Sequence, residues 1–235
     1  MQAVILAGGT GTRLAPYTTV LPKPLMPVGQ MPILELIIRQ LKVLGFKRIE
    51  MATGYLSGLI EAYFGDGSRW GVEIRYHVEK TRAGTAGPLL LLKDVLEQDF
   101  LIMNGDVLTD LDFAALLSAH CEKKALLTIA TCQRDVTLPL GAIVRLPGGG
   151  ITDYIEKPTY HFECSAGIYA GNREIVSYID PSHAVDLPDL VRILINQEKH
   201  LASFPITGFW LDIGTPEDYR TANEQFETRF AHLMQ

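Results

Sequence analysis

Short apolar runs that stop at glycine or polar turns alternate with segments of helical periodicity over the first half of the chain, and that alternation leaves few folds open. Ala3–Ala7 is apolar throughout and of strand length, which predicts a strand buried on both faces. Ile33, Leu34, Ile37, Ile38, Leu41 and Leu44 then recur at helical spacing, and Gly45 supplies the stop. The pattern repeats: a strand near Arg48–Thr53, a helix near Leu56–Phe64, a strand near Val72–Val78, a helix near Ala86–Leu96 and a strand at Phe100–Met103. Asp112 can cap a helix running to about Lys123, and Leu126–Cys132 resumes strand character. The expectation is an α/β fold with a mixed, mostly parallel central sheet covered by helices.

From Gly141 to Gly171 the pattern changes. Ala142–Arg145, Ile151–Glu156 and Ser165–Ala170 are strand-like, with a turn at Pro147-Gly148-Gly149-Gly150, which predicts a β-rich insertion against the main sheet. A closing helix is expected from Pro216, with Thr215 as N-cap, proline at its first position and Asp218 near the capping-box position. With no linker or repeat, residues 1–235 are expected to form one domain.

No apolar run approaches the roughly 20 residues that cross a bilayer, and no basic leader precedes the first strand, so a cytoplasmic protein without a membrane partner is expected. A net charge of −6 argues against nucleic acid as partner but leaves room for a small phosphorylated substrate, which needs only a local basic cluster. Cys121, Cys132 and Cys164 are odd in number and lack C-x-x-C spacing, so buried thiols are expected rather than a disulfide or a zinc site.

Chemistry concentrates first in Leu6-Ala7-Gly8-Gly9-Thr10-Gly11-Thr12-Arg13-Leu14 and in Leu21-Pro22-Lys23-Pro24-Leu25. Glycines directly after a buried strand let backbone N–H groups approach phosphate oxygens, and Arg13 and Lys23 add charge. The spacing is neither G-x-x-x-x-G-K-[ST] nor a dinucleotide fingerprint, because Leu14 stands where the third glycine belongs; this disfavours hydride transfer. Asp106 follows the strand Phe100–Met103, at the end where open α/β sheets bind ligands, and Asp212 closes another strand-like run. Two carboxylates from separate strands, with phosphate oxygens and water, suit octahedral Mg²⁺, although either alone also reads as a cap or turn residue.

Together these residues resemble the sugar-1-phosphate nucleotidylyltransferase signature G-G-x-G-T-R-L…P-K-P-L. Further blocks match in family order: Glu79 with Gly84-Thr85-Ala86-Gly87-Pro88, Asn104-Gly105-Asp106, Glu156-Lys157-Pro158, Ala166-Gly167-Ile168-Tyr169 and Trp210-Leu211-Asp212-Ile213-Gly214. The G-T-A-G-P block is most similar to mannose-1-phosphate guanylyltransferases. The resemblance implies a Rossmann-like nucleotidyltransferase fold with a small β-rich sugar-binding insertion. It also leads us to expect no appended left-handed β-helix in this chain.

It implies, too, transfer of a nucleoside monophosphate from a triphosphate to a sugar 1-phosphate, with Mg²⁺ held by Asp106 and Asp212. In that reading residues Leu6 to Arg13, Lys23, Glu79, Gly84 and Thr85 bind the nucleotide. Arg13, Lys23 and Asp106 are catalytic, with Arg13 meeting the leaving pyrophosphate. Asn104, Gly141, Glu156, Lys157 and Ser165 bind the sugar phosphate. Taken alone, Glu156-Lys157 reads as a solvated charge pair, and only the block context raises it to a site. A phosphate nucleophile has a second pKa of about 6, so no general base is required and the six histidines are expected at the surface or in packing roles.

Glu79 is expected to accept from the N1–H and N2 amino groups of guanine, which favours GTP. Ser165 replaces a more usual asparagine, Thr81-Arg82-Ala83 replaces Glu-Pro-Leu, and Leu140 stands where some relatives have tyrosine; these departures leave mannose and related sugars such as heptoses open. Uridylyl-, cytidylyl- and thymidylyltransferases, and a non-catalytic nucleotide-sugar-binding regulator, are the alternatives. A homodimer is left open.

Overall fold

The computed structural model describes residues 1–79 and 83–234, so the Thr81-Arg82 departure lies outside the described residues. In chain order the strands and α-helices are β1 Gln2–Ala7, β2 Pro27–Val28, β3 Met31–Pro32, α1 Ile33–Val43, β4 Arg48–Thr53, α2 Ser57–Phe64, β5 Glu73–Val78, α3 Pro88–Leu92, β6 Asp99–Asn104, β7 Val107–Thr109, α4 Phe113–Lys123, β8 Leu127–Thr137, β9 Ala142–Arg145, β10 Ile151–Ile155, β11 Thr159–Asn172, α5 Leu187–Asn196, β12 Leu201–Pro205, β13 Trp210–Asp212 and α6 Pro216–Arg229.

Seven strands form the central sheet in the order β12-β8-β11-β6-β1-β4-β5. β1 pairs in parallel with β4 and β6, β4 with β5, and β12 with β8; β11 runs antiparallel to both its neighbours. The sheet is thus mixed and mostly parallel. Because side chains alternate along a strand, Ala3 and Ile5 enter the larger apolar cluster while Val4 enters the other. Helices α1 and α4 pack into the first cluster and α3 and α5 into the second, so the sheet is covered on both faces. Burying each such Leu or Ile contributes about 1.5–3 kcal/mol, and polar side chains buried in these strands can satisfy one another, as Gln2 does in its hydrogen bond to Glu50.

Several elements differ from expectation. The α3 helix is only Pro88–Leu92, and the chain continues through single-turn bonds from Val95 and Leu96 back to the Leu92 carbonyl. Helix α5 and edge strand β12 occupy a stretch to which the sequence reading assigned no element. The β-rich insertion is not laid against the sheet. The outer halves of β8 and β11 extend past it as a paired ribbon carrying the separate β9–β10 hairpin, and most of that arm is exposed. Of the thiols expected to be buried, Cys132 is buried, Cys164 is half-buried and Cys121 is exposed. The capping box forms as expected: Asp218 N–H donates to Thr215 Oγ1 (3.2 Å) and Thr215 N–H to Asp218 Oδ2 (2.8 Å). No helix of the described residues is long and apolar enough to cross a membrane.

Candidate active site

The glycine loop leaves the carboxyl end of β1 and turns into a short 3₁₀ segment, Thr12–Leu14. Gly11 has φ +63°, and a Cβ there would lie 2.8 Å from the Thr18 methyl, so both conformation and space require glycine. Gly8 passes so close to the turn after β4 that a Cβ at Gly54 would sit 3.2 Å from the Gly8 carbonyl oxygen. Glu79, just after β5, lies over the same loop with Oε2 at 3.0 Å from where a Gly8 Cβ would be. Its Oε1 is buried with no hydrogen-bond partner among the described residues, and burial raises the carboxyl above its ordinary pKa.

Gly105, after β6, donates its N–H to the Leu6 carbonyl (2.9 Å) and thereby fixes Asp106 beside the loop. Strand β13 pairs with β7 so that Asp212 lies opposite Val107, and Ile213 N–H donates to the Asp106 carbonyl (3.1 Å). The two carboxylates therefore share one corner. Lys23, buried between Pro22 and Pro24, forms an ion pair with Asp106 Oδ2 and lies 3.8 Å from Asp212 Oδ1. Asp106 Oδ1 is buried without a partner among the described residues. Burial raises the Asp212 carboxyl, the Asp106 charge raises it further, and Lys23 and Arg13 oppose them. Arg13 is exposed and runs across Gly214, where a Cβ would come 3.2 Å from its guanidinium.

Two adjoining cavities open here. The first, about 350 Å³, is lined by Leu6, Gly8, Gly9, Thr10, Glu79, Gly84, Thr85, Asn104 and Asp106, together with Ala52, Pro88 and Asp186. The second, about 420 Å³, shares Thr85, Asn104 and Asp186 with it and adds Ser165, Trp210 and Asp212 among others. Ala7 points into the core, and Gly11, Thr12, Arg13 and Lys23 line neither cavity. Asn104 is accommodated by Gly167, at φ +71°, where a Cβ would lie 2.7 Å from its Nδ2. Ser165 donates to the Tyr169 hydroxyl (3.0 Å).

Gly141, Glu156 and Lys157 line neither cavity; they stand on the projecting arm. Gly141 makes room for Tyr154, whose hydroxyl lies 2.1 Å from where a Cβ would be and donates to Glu156 Oε2 (3.1 Å). Lys157 adopts φ +45°, a left-handed conformation costing a non-glycine residue about 1–2 kcal/mol.

Asp186 is a site residue that the sequence reading missed. Its Oδ1 accepts from the Thr85 N–H (2.8 Å) and hydroxyl (3.2 Å), while Thr85 Oγ1 accepts from Leu187 N–H (2.8 Å). Backbone bonds Ala86 N–H to the Val185 carbonyl and Val185 N–H to the Ala83 carbonyl, both 2.9 Å, zip the two loops together. Gly84, at φ +80°, is required because a Cβ would meet the Val185 carbonyl oxygen at 2.4 Å. The available signal was Asp186-Leu187-Pro188, a cap followed by proline in the first helical turn.

Among the described residues no cluster of three or more His, Cys, Asp or Glu is placed to hold a metal. The Asp106–Asp212 corner nevertheless fits Mg²⁺, which takes one or two carboxylates and completes its shell with phosphate oxygens and water: one carboxylate oxygen there is buried and orphaned, and a cation, Lys23, already sits between the two groups.

Residues 2–229 match the family described as Nucleotidyl transferase. The mannose-1-phosphate guanyltransferase of Schizosaccharomyces pombe is 34% identical over 229 residues, covering 94% of this chain and 63% of its own length. A UTP–glucose-1-phosphate uridylyltransferase of Synechocystis is 33% identical over 238 residues, covering 93% of this chain and 61% of its own length. The chain thus spans about three fifths of the length of these curated relatives. Among solved structures, a Bacillus anthracis protein described as a candidate glucose-1-phosphate thymidylyltransferase superposes with a TM-score of 0.78 at 27% identity, covering 95% of this chain and 94% of that one.

Proposed function

Because the chain belongs to the nucleotidyl transferase family, we propose that it transfers a nucleoside monophosphate from a triphosphate, GTP by the reading of Glu79, to a sugar 1-phosphate such as mannose 1-phosphate or a heptose 1-phosphate. The observation that carries this reading is the corner where Lys23 meets Asp106 and Asp212 at the edge of a glycine-walled cavity. The glycine loop offers N–H groups to the triphosphate, and the adjoining cavity past Asn104 offers space for the sugar.

In the transfer, a phosphate oxygen of the sugar phosphate forms a bond to the α-phosphorus, the bond to the bridging oxygen breaks, and pyrophosphate leaves with the electron pair. The nucleophile is largely dianionic at neutral pH, so catalysis is positional and electrostatic. Lys23 steadies charge at the reacting phosphates, and Arg13, exposed at the rim, meets the leaving group. Asp106 and Asp212 would hold Mg²⁺, which when bound orients the phosphates and offsets their charge. Asn104 and Ser165, at the second cavity, face the sugar phosphate. Glu156 and Lys157 stand on the arm, outside both cavities, and their part in holding the sugar phosphate rests on their sequence block. The setting proposed is cytoplasmic, where nucleoside triphosphates are plentiful.

Support for guanine comes from Glu79 lining the first cavity, since an ionised carboxylate accepts two adjacent donors and guanine alone among the common bases presents them on one edge. The test is pyrophosphate release with GTP, UTP, CTP and dTTP, each crossed with several sugar 1-phosphates in the presence of magnesium. Release from one productive pair supports the reading. Nucleotide-sugar binding without release from any pair would replace it with the non-catalytic regulator.

A further inference from the structure

A carboxylate that the proposed reaction does not use lies wholly inside the sheet. Glu50, in the middle of β4, is fully buried, and so is Gln2 at the start of β1. Side chains alternate along a strand, so Gln2 shares a face with Val4 and Leu6, which belong to the second apolar cluster or pack on it. Glu50 is in register with Val4, and His77 of β5 with Ala52, two residues beyond Glu50. The three polar side chains therefore face the same way, on the side of the sheet where Leu6 and Ala52 line the first cavity.

Their hydrogen bonds run towards two walls of that cavity. Glu50 Oε2 lies 2.8 Å from His77 Nε2, and Oε1 accepts from Gln2 Nε2 (3.0 Å). Read as an ionised acceptor, Glu50 requires His77 to carry a proton on Nε2. His77 stands two residues before Glu79, and the ladder to β4 continues that far, since Glu79 N–H donates to the Thr53 carbonyl (2.9 Å). On the other side Gln2 Nε2 donates to the Val95 carbonyl (3.0 Å), Gln2 Oε1 accepts from Glu97 N–H (2.6 Å), and Arg48 Nη2 donates to the Val95 carbonyl as well (3.1 Å). That segment follows α3, whose first residue, Pro88, lines the first cavity with Gly84 and Thr85.

We infer that Glu50 and His77 are positioning residues for nucleotide selection: they hold the end of β5, and Glu79 with it, at a set place relative to the Gly84–Pro88 wall. The inference rests on the reading of the first cavity as the nucleotide site and of Glu79 as the group that meets the base. A buried ionic pair is a poor source of stability, because apolar side chains of similar volume in its place are often neutral or better. What apolar packing lacks is direction. Satisfied buried hydrogen bonds specify one arrangement of the elements they join, and a carboxylate that must meet two donors at once tolerates little displacement.

Calorimetric titration with GTP, UTP, CTP and dTTP, and pyrophosphate release with any productive pair, test the inference. His77→Leu, which removes the donor, should weaken binding of the favoured triphosphate and raise its KM by about 5- to 10-fold, part of what a bidentate base contact is worth, with kcat and the KM for sugar phosphate within about 2-fold. His77→Gln, whose amide can donate in place of the imidazole Nε2, should restore wild-type binding. A His77→Leu protein that melts lower but binds and turns over as wild type makes the pair purely structural and overturns the inference, and so does a loss that glutamine fails to restore. Should His77→Leu not fold, Glu50→Met/His77→Leu, which leaves no orphaned charge, takes its place with the same expected loss, and wild-type binding by that variant overturns the inference. A wild type that binds a triphosphate but releases no pyrophosphate defeats the catalytic reading alone, because the binding comparison still decides the role of His77. One that binds none of the four defeats both.

Discussion

Replacing Glu79 by glutamine should move nucleotide selection and stability in opposite directions. The carboxylate lies over the Gly8 loop with one oxygen buried and without a partner among the described residues, and burial holds its pKa above the ordinary value. A carboxyl whose pKa is higher in the fold than in the unfolded chain contributes stability below its ordinary pKa, and that contribution is lost as pH rises through the raised value. At neutral pH the ionised group is therefore a cost in the empty protein. Removing the buried charge should return on the order of 1 kcal/mol, or a rise of about 2–4 °C in Tm for a chain of this size. With nucleotide bound the balance reverses, because glutamine offers one acceptor and sets a donor against a donor of guanine. The loss of a bidentate pair is worth about 1–3 kcal/mol, a fall of about 5- to 150-fold in kcat/KM for GTP. Thermal unfolding of the empty protein and pyrophosphate release with GTP, UTP, CTP and dTTP measure the two effects. In the wild type, preference for GTP should also weaken as pH falls through the raised Glu79 pKa. A variant with lower Tm, or one that loses equally with every triphosphate, refutes the reasoning, since either result makes Glu79 a structural prop.

Asp106→Asn and Asp212→Asn should each cut turnover about 100-fold or more, and because burial and the neighbouring carboxylate raise the Asp212 pKa, Asp212→Asn should unfold at a higher temperature at neutral pH; near-native turnover at limiting magnesium removes that aspartate from the site. Gly84→Ala should cost more than the roughly 1–2 kcal/mol of a left-handed alanine, because its Cβ also meets the Val185 carbonyl, and a denaturant melt unchanged from wild type contradicts this. Asp186→Asn should raise the KM for sugar phosphate about 10-fold, as expected for weakening one charged hydrogen bond, with kcat within about 3-fold; an effect on GTP alone would place Asp186 on the nucleotide side instead.

What the sequence made legible is what local chemistry dictates. A strand buried on both faces is apolar through its middle, so β1 and β6 could be read within a residue or two of their observed ends. Thr215 and Asp218 satisfy each other within one turn, so their capping box could be read as well. Helix α5 repeats Leu187, Leu190 and Leu194 at helical spacing after Asp186 and was open to reading, whereas β12 is a half-exposed edge strand without a strong alternation. The site divides along the same line. The glycine loop and the acidic corner are short motifs, whereas Asp186 reaches the cavity only through a loop-to-loop zipper about 100 residues away from Thr85 in sequence. The position of Gly141, Glu156 and Lys157 outside the cavities was equally hidden, because it depends on how far a ribbon projects and not on which residues it contains.

Lys23 bears on the order in which ligands arrive. Its ammonium and the Arg13 guanidinium together balance the charges of Asp106 and Asp212, so the empty corner is close to neutral. A free divalent ion gains little by entering a place that already contains its own counter-charge. The negative charge that would draw an ion in belongs to the triphosphate, and so, on the proposed reading, Asp106 and Asp212 would hold a metal only as Lys23 turned from them to the phosphates.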